Sequence, residues 1–285
     1  MRTYLDCVPC FVRQAIDSAR RVTNEPRVHE QLLRETLSVA SRLTFDDSPP
    51  AMGQIIHRRL RELIGQKDPY RLAKQEANAT ALQLYPELKQ KVARSDDPFT
   101  TAVKLAIAGN VIDLGVKSHL TQAEIHTAIE EALESDLEVD AVDALRQAIE
   151  AANDILYLAD NAGEIVLDRI LIEQMPLAKV TLVVKASPII NDATREDAEA
   201  AGLANLVPVI DNGTDIPGTI LDQCCPAFQE RFAQADLIIA KGQGNYETLN
   251  ESRRPIFFLL KAKCPVIAQD LGCQLGQMVI RRGTA

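Results

Sequence analysis

The chain has 285 residues, 46% hydrophobic and 25% charged, the balance of a globular protein with room for one large domain or two smaller ones. A formal net charge of −9, no Trp, five Tyr and seven Phe argue against a general nucleic-acid binder, which needs a basic face and stacking platforms. No stretch approaches the roughly 18 apolar residues of a membrane span and the amino terminus lacks an uninterrupted apolar run, so the expectation is a cytoplasmic protein with no membrane partner.

The first element is announced by Cys7-Val-Pro-Cys10. Six cysteines, at 7, 10, 224, 225, 264 and 273, are too scattered for a disulfide framework, so reduced thiols are the default. Only Cys7 and Cys10 have a spacing suited to a second metal or a redox couple, and a helix starting there would favour the thiolate. A four-ligand zinc site would need Cys264 or Cys273 from far along the chain, and two packing thiols are the alternative.

From Asp6 to about Ala152 apolar residues recur at helical spacing, as in Leu32, Leu33, Leu37 and Ala40 or Ile55, Ile56, Leu60, Leu63 and Ile64. Helix starts are expected at Ser48 before Pro49-Pro50, at Asp97 before Pro98, and at a capping box from Thr121 to Glu124, with a link near 135–138. The four histidines, His29, His57, His119 and His126, all lie in this half and read as surface or packing residues.

After Asn153 the pattern changes to short β-rich runs alternating with helical segments, the signature of βαβ units and a mostly parallel sheet. Strands are expected at 155–158, 180–184, 206–210, 237–240, 256–260 and 266–268, and helices at 164–174, 194–201, 218–223 and 227–234. The fold class is therefore α/β, with a helical domain over 1–152 followed by an α/β domain over 153–285.

In a parallel sheet the strand carboxyl ends share one edge, and ligands bind there. The first run is followed by Asp160, Asn161, Gly163 and Glu164, the second by Lys185 and then Asn191-Asp192, the third by Asp211-Asn212-Gly213-Thr214. The fourth ends in Lys241-Gly242-Gln243-Gly244-Asn245 and the fifth in Lys261 and Lys263. Each cluster alone reads as a turn or helix cap. Their convergence suggests a hard divalent cation held by carboxylate and amide oxygens, beside an anion gripped by lysines and backbone N–H groups. The first strand-to-helix turn offers Gly163 alone in place of G-x-G-x-x-G, and there is no P-loop, no H-x-x-x-H pair and no G-x-S-x-G elbow.

C-x-x-C near the start, AGNVID at 108–113, DNAGE at 160–164, KASPIIND at 185–192, AKGQGNYETL at 240–249 and LLKAKCPVIA at 259–268 together resemble the domain of unknown function 89 family, the metal-dependent damage-control phosphatases. The C-x-x-C points to its compact prokaryotic subfamily. The resemblance implies a three-layer α/β/α core behind a helical amino-terminal part. It implies that Asp160, Asn161 and Asp192 hold a divalent metal, that Lys241, Asn245 and Lys263 face the substrate phosphate, and that Asn110 and Asp113 reach the site from the helical half. Glu164, Lys185 and Lys261 complete the expected substrate side, although relatives with arginine before the last lysine differ from Leu259-Leu260-Lys261 here.

The chemistry that follows is metal-dependent hydrolysis of a small phosphorylated metabolite. Oxygen ligands favour Mg²⁺ or Mn²⁺, and the amide share leaves Co²⁺ and Ni²⁺ open. A water whose pKa the cation lowers is the preferred nucleophile over Asp160 itself. Two alternatives use the same residues: an S-adenosylmethionine-dependent methyltransferase, for which LADNAGE is a partial match, and a non-catalytic sugar-phosphate-binding protein.

Overall fold

Helical spacing in the first half folds as expected into α1 (Cys7–Val22), α2 (Pro26–Ala40), α3 (Pro49–Ile64), α4 (Arg71–Arg94), α5 (Pro98–Ala108), α6 (Gln122–Glu134) and α7 (Val139–Ala151). The structure, a computed structural model, describes residues 1–109 and 122–283. Proline supplies the first helical position after Ser48 in α3 and after Asp97 in α5, where the missing N–H costs nothing, and the Asp97 carboxylate accepts the Thr100 N–H. Thr121 of the expected capping box and His119 lie outside the described residues.

The second half runs β1 (Ile155–Leu158), α8 (Glu164–Ile172), β2 (Val180–Val184), α9 (Arg195–Ala200), β3 (Val209–Asp211), α10 (Pro226–Gln234), β4 (Leu237–Lys241), α11 (Gly242–Leu249), β5 (Ile256–Lys261), α12 (Pro265–Leu271) and β6 (Met278–Arg282). The sheet order is β3-β2-β1-β4-β5-β6. Neighbours are parallel except β6, which runs antiparallel to β5.

Three local expectations differ from the structure, and two elements were not expected. The third strand begins at Val209 because Leu206 and Val207 both donate to the Leu203 carbonyl and close a 3-10 turn first. The run 266–268 is helix α12, framed by Pro265 at its first position and by Gly272 in the left-handed conformation after its end. The expected helix 218–223 shrinks to the 3-10 turn Leu221–Gln223. Two glycines concealed α11, and the arginines of β6 concealed an edge strand.

Strand alternation divides the sheet between two cores. Ile155 and Tyr157 of β1 face Ile165, Leu171 and residues of α4 and α5 such as Leu84 and Leu105. Leu156 and Leu158 face Phe228, Phe232, Tyr246 and Ile267 on α10 to α12. Three layers result, as the resemblance implied. The change of element type near residue 152 is no break in packing, because α4 and α5 form part of the layer over α8. Among the described residues α1 to α3 form a separate apolar cluster, around Phe11, Leu32, Ile56 and Leu60. Among the described residues no helix is long and apolar enough to cross a membrane.

One carboxylate ties α3 to the sheet edge. Asp215 accepts from Gln54 at 2.9 Å and Arg58 at 2.5 Å and pairs with Arg61, whose guanidinium also reaches the Pro188 carbonyl. Burial alone would raise the Asp215 pKa, but the hydrogen bonds from Arg58, Arg61 and Gln54 outweigh it and hold the carboxyl well below the usual range. A depressed carboxylate contributes stability that is complete above its unfolded pKa and is lost as pH falls through the folded one. Asp215→Asn is therefore expected to lose about 1–3 kcal/mol in urea melts at pH 7. The gap to wild type should narrow below about pH 4. A pH-independent gap would mean that shape, not charge, holds the clamp.

Candidate active site

The strand order reverses direction between β1 and β4, and the ends of these two strands open the crevice where doubly wound sheets place ligands. Asp160 and Asn161 leave β1 at this point, and Lys241 and Gly242 leave β4. The loop after β2 is stitched to the loop after β1. Ala193 N donates to the Asp160 carbonyl and Ala162 N to the Asn191 carbonyl, both at 2.8 Å, and Asn161 and Asp192 form an isolated antiparallel bridge. The sequence elements DNAGE and IND are thus brought together.

Ile190, just before this pair, has φ of 45°, an uncommon and strained backbone for a β-branched residue. The Asp192 N–H to the Ile189 carbonyl, 3.0 Å, closes the turn that this strain permits. Gly242 makes room for the other carboxylate. Its φ is 80°, and a Cβ there would stand 1.9 Å from Asp160 Oδ2, so only glycine lets that carboxylate lie against the first turn of α11. The positive end of a helix favours an anion in that place.

Asn161 is 6% exposed, and its Nδ2 donates to Asp160 Oδ2 at 2.8 Å and to Glu164 Oε2 at 3.0 Å. Oδ1 diverges from both and takes no hydrogen bond from the described residues. Lys185, also buried, donates to the Gly218 carbonyl and stands 3.6 Å from Asp192 Oδ2. Lys263 is exposed at the rim, its backbone N–H held by Gln243 of α11 at 3.2 Å. Lys261 ends β5, half-buried, one strand further from the crevice.

Two residues expected at the phosphate are enclosed instead. Lys241 is fully buried, and its ammonium donates to Asp168 at 2.6 Å, to Ala106 O at 2.7 Å and to Glu164 at 2.8 Å, which takes up all three protons. Asn245 gives one amide proton to the Lys241 carbonyl at 2.8 Å and another to Ala159 O at 3.3 Å, and its oxygen accepts from Thr219 at 2.8 Å. In this geometry neither has a donor left for a ligand. Glu164 likewise belongs to the buried floor, not the open face. Asn110 and Asp113 lie outside the described residues.

The floor and walls contain residues that motif reading missed. Asp168, at 0% exposure, accepts from Lys241 and from Tyr157 at 2.8 Å, and its Oδ2 has no partner among the described residues. Burial pushes its carboxyl up to about 6 against the pull of Lys241. Asn78 of α4 accepts the Gly163 N–H at 2.7 Å and donates to Asp197 at 2.8 Å. Asp197 closes the capping box of Thr194 and pairs with buried Lys74 at 2.8 Å. The available signal was polar spacing on buried helix faces: Glu164 and Asp168 four apart, Lys74 and Asn78 four apart.

Cys7 does not meet the thiolate expectation. Burial raises its thiol, outweighing the hydrogen bond with the Tyr4 backbone; Cys10 is exposed, and all six cysteines are free of disulfides. Among the described residues no group of three or more His, Cys, Asp or Glu side chains could hold a metal. The stitched loops after β1 and β2 offer a different set, two carboxylates and an amide oxygen. That set suits a hard divalent cation whose remaining positions are filled by water or a substrate oxygen. Of the other histidines, His57 is a packing residue pushed down to about 3 by burial.

Comparison with known proteins agrees with this architecture. The Damage-control phosphatase ARMT1-like domain matches residues 3–279. An uncharacterized protein of Methanocaldococcus jannaschii is 39% identical over 96% of this chain and 93% of its own length. A damage-control phosphatase of Archaeoglobus fulgidus is 35% identical over 96% of this chain and 97% of its own. The crystal structure of a DUF89 family protein from Pyrococcus horikoshii superposes with a TM-score of 0.90 at 35% identity, covering 100% of both chains.

The enclosed Lys241 makes a prediction opposite to that of a phosphate ligand. Lys241→Met leaves two buried carboxylates without their cation and is expected to cost about 3–5 kcal/mol of unfolding free energy, read by urea denaturation. A variant with wild-type stability and a raised KM would return this lysine to the substrate.

Proposed function

The chain belongs to the damage-control phosphatase family of ARMT1-like domains, and from that premise we propose that it is a divalent-metal-dependent phosphomonoester hydrolase acting on small phosphorylated metabolites. The observation that carries this reading is the stitching of Asp160 and Asn161 to Asp192 at the switch point of the sheet, with Lys185 beside them. Asp160, Asn161 and Asp192 hold the cation, Mg²⁺ or Mn²⁺ by donor type, with Co²⁺ and Ni²⁺ the next candidates. When bound, it neutralises phosphoryl oxygens and makes a nearby water more acidic.

The chain's own residues do the rest. The Lys185 ammonium, fixed by the Gly218 carbonyl, sits where it can share negative charge between Asp192 and a phosphoryl group. Lys263 adds a cation at the entrance, and the first turn of α11 lends its N-terminal field to the Asp160 side of the crevice. Asn245 keeps the ends of β1 and β4 and the Thr219 segment in fixed relation, which orients the crevice without touching substrate. A cytoplasmic setting accords with six free thiols.

Purified chain with Mn²⁺ should release phosphate from members of a phosphometabolite panel, lose that activity to EDTA and regain it when metal is returned. Asp160→Ala and Asp192→Ala are each expected to lower turnover about 10²-fold or more with the circular dichroism spectrum unchanged. Wild-type turnover by either variant at saturating metal would remove that residue from the site.

A further inference from the structure

A side-chain amide has a donor edge and an acceptor edge of nearly the same shape, so a cation site that uses one needs something to decide which edge faces inward. For Asn161 the decision is made from beneath. Its Nδ2 is directed at Glu164 Oε2 as well as at Asp160 Oδ2. Asp160 belongs to the open face. Glu164, 1% exposed, does not, and its other oxygen receives the Lys241 ammonium at 2.8 Å. That ammonium is fixed in turn by Asp168 and the Ala106 carbonyl.

We propose that Glu164 is a positioning residue, anchored by the buried Lys241–Asp168 pair, that holds the Asn161 amide with Oδ1 toward the cation site between Asp160 and Asp192. The inference rests on the metal-dependent reading above. An inverted amide would set Oδ1 against Glu164 Oε2, acceptor against acceptor with water excluded, and would turn an NH₂ group toward the cation. The clamp removes that conformer, so the ligand oxygen is in place before the cation arrives.

Glu164→Gln keeps the shape and divides the two roles. Lys241 only donates, so the new carbonyl oxygen must stay with it, and the new NH₂ then faces Asn161 and drives its amide to invert. Adding Asn161→Asp supplies an acceptor for that NH₂ and leaves a second oxygen for the cation, with the summed charge of the two positions unchanged. Mn²⁺ binding to the full chain, without substrate, is read by electron paramagnetic resonance of the free ion. Glu164→Gln should weaken it about 10–100-fold, and the double variant should return to within about tenfold of wild type.

A merely structural Glu164 predicts no rescue, because Lys241 loses the same carboxylate in both variants. Unchanged affinity in Glu164→Gln, or a double variant as weak as the single one, overturns the clamp alone. If the single variant melts too low to titrate, the double variant decides: Mn²⁺ uptake supports the clamp, and none overturns it. A wild-type chain that takes up no Mn²⁺ overturns the metal-dependent reading and the clamp with it.

Discussion

A lysine ammonium sealed from water must be surrounded by anions and acceptors or not be buried at all, and this requirement at Lys241 organises the floor of the crevice. The desolvation of one cation costs several kcal/mol, so its partners are constrained in number and direction. Glu164 and Asp168 supply them from one face of α8 because residues four apart stack on a helix. The Ala106 carbonyl, near the carboxyl end of α5, supplies the third acceptor. Placing Lys241 therefore fixes α8 against α5 and β4, and with α8 the loop that carries Asp160 and Asn161.

The same loop is held from its other side by α4. Asn78 accepts the Gly163 N–H and reaches Asp197, and Asp197 binds both the start of α9 and Lys74. One helix of the amino-terminal half thereby sets the separation of the segments after β1 and β2, the two that bear the candidate ligands. Lys241, Lys74 and Asn78 under the crevice act as scaffold, each tied to a buried carboxylate. Such a scaffold suits a site that must hold carboxylates close together in spite of their repulsion.

Fold class, the helical first half and most strands were legible because hydrophobic period is a local signal. Ile155–Leu158 and Val180–Val184 were read to the residue from short, β-rich, mostly apolar runs. Where packing across the sheet decided the outcome, the reading failed. The run 266–268 is equally apolar as strand or helix until Pro265 and Gly272 are weighed. The meeting of Asp160 and Asn161 with Asp192 was predictable because strand ends converge in space, a consequence of topology in parallel βαβ units. Asp168, Lys74 and Asn78 were not, since an isolated polar residue on an apolar helix gives no sign of which partner will meet it.

The lysines at the strand ends show where a period-two argument would have gone further. Leu237 and Ile239 of β4 belong to the core under α8, and Lys241 continues their parity, so its side chain had to enter that layer. Val183 of β2 belongs to the opposite core, and Lys185 continues its parity toward the Gly218 segment. Two lysines that look equivalent as endings of apolar runs are therefore sent to opposite faces of the sheet. One becomes the buried counter-ion of α8, and the other is left beside Asp192. Composition and motif mark both as anion ligands, whereas alternation along the strand separates the lysine enclosed under α8 from the lysine beside Asp192.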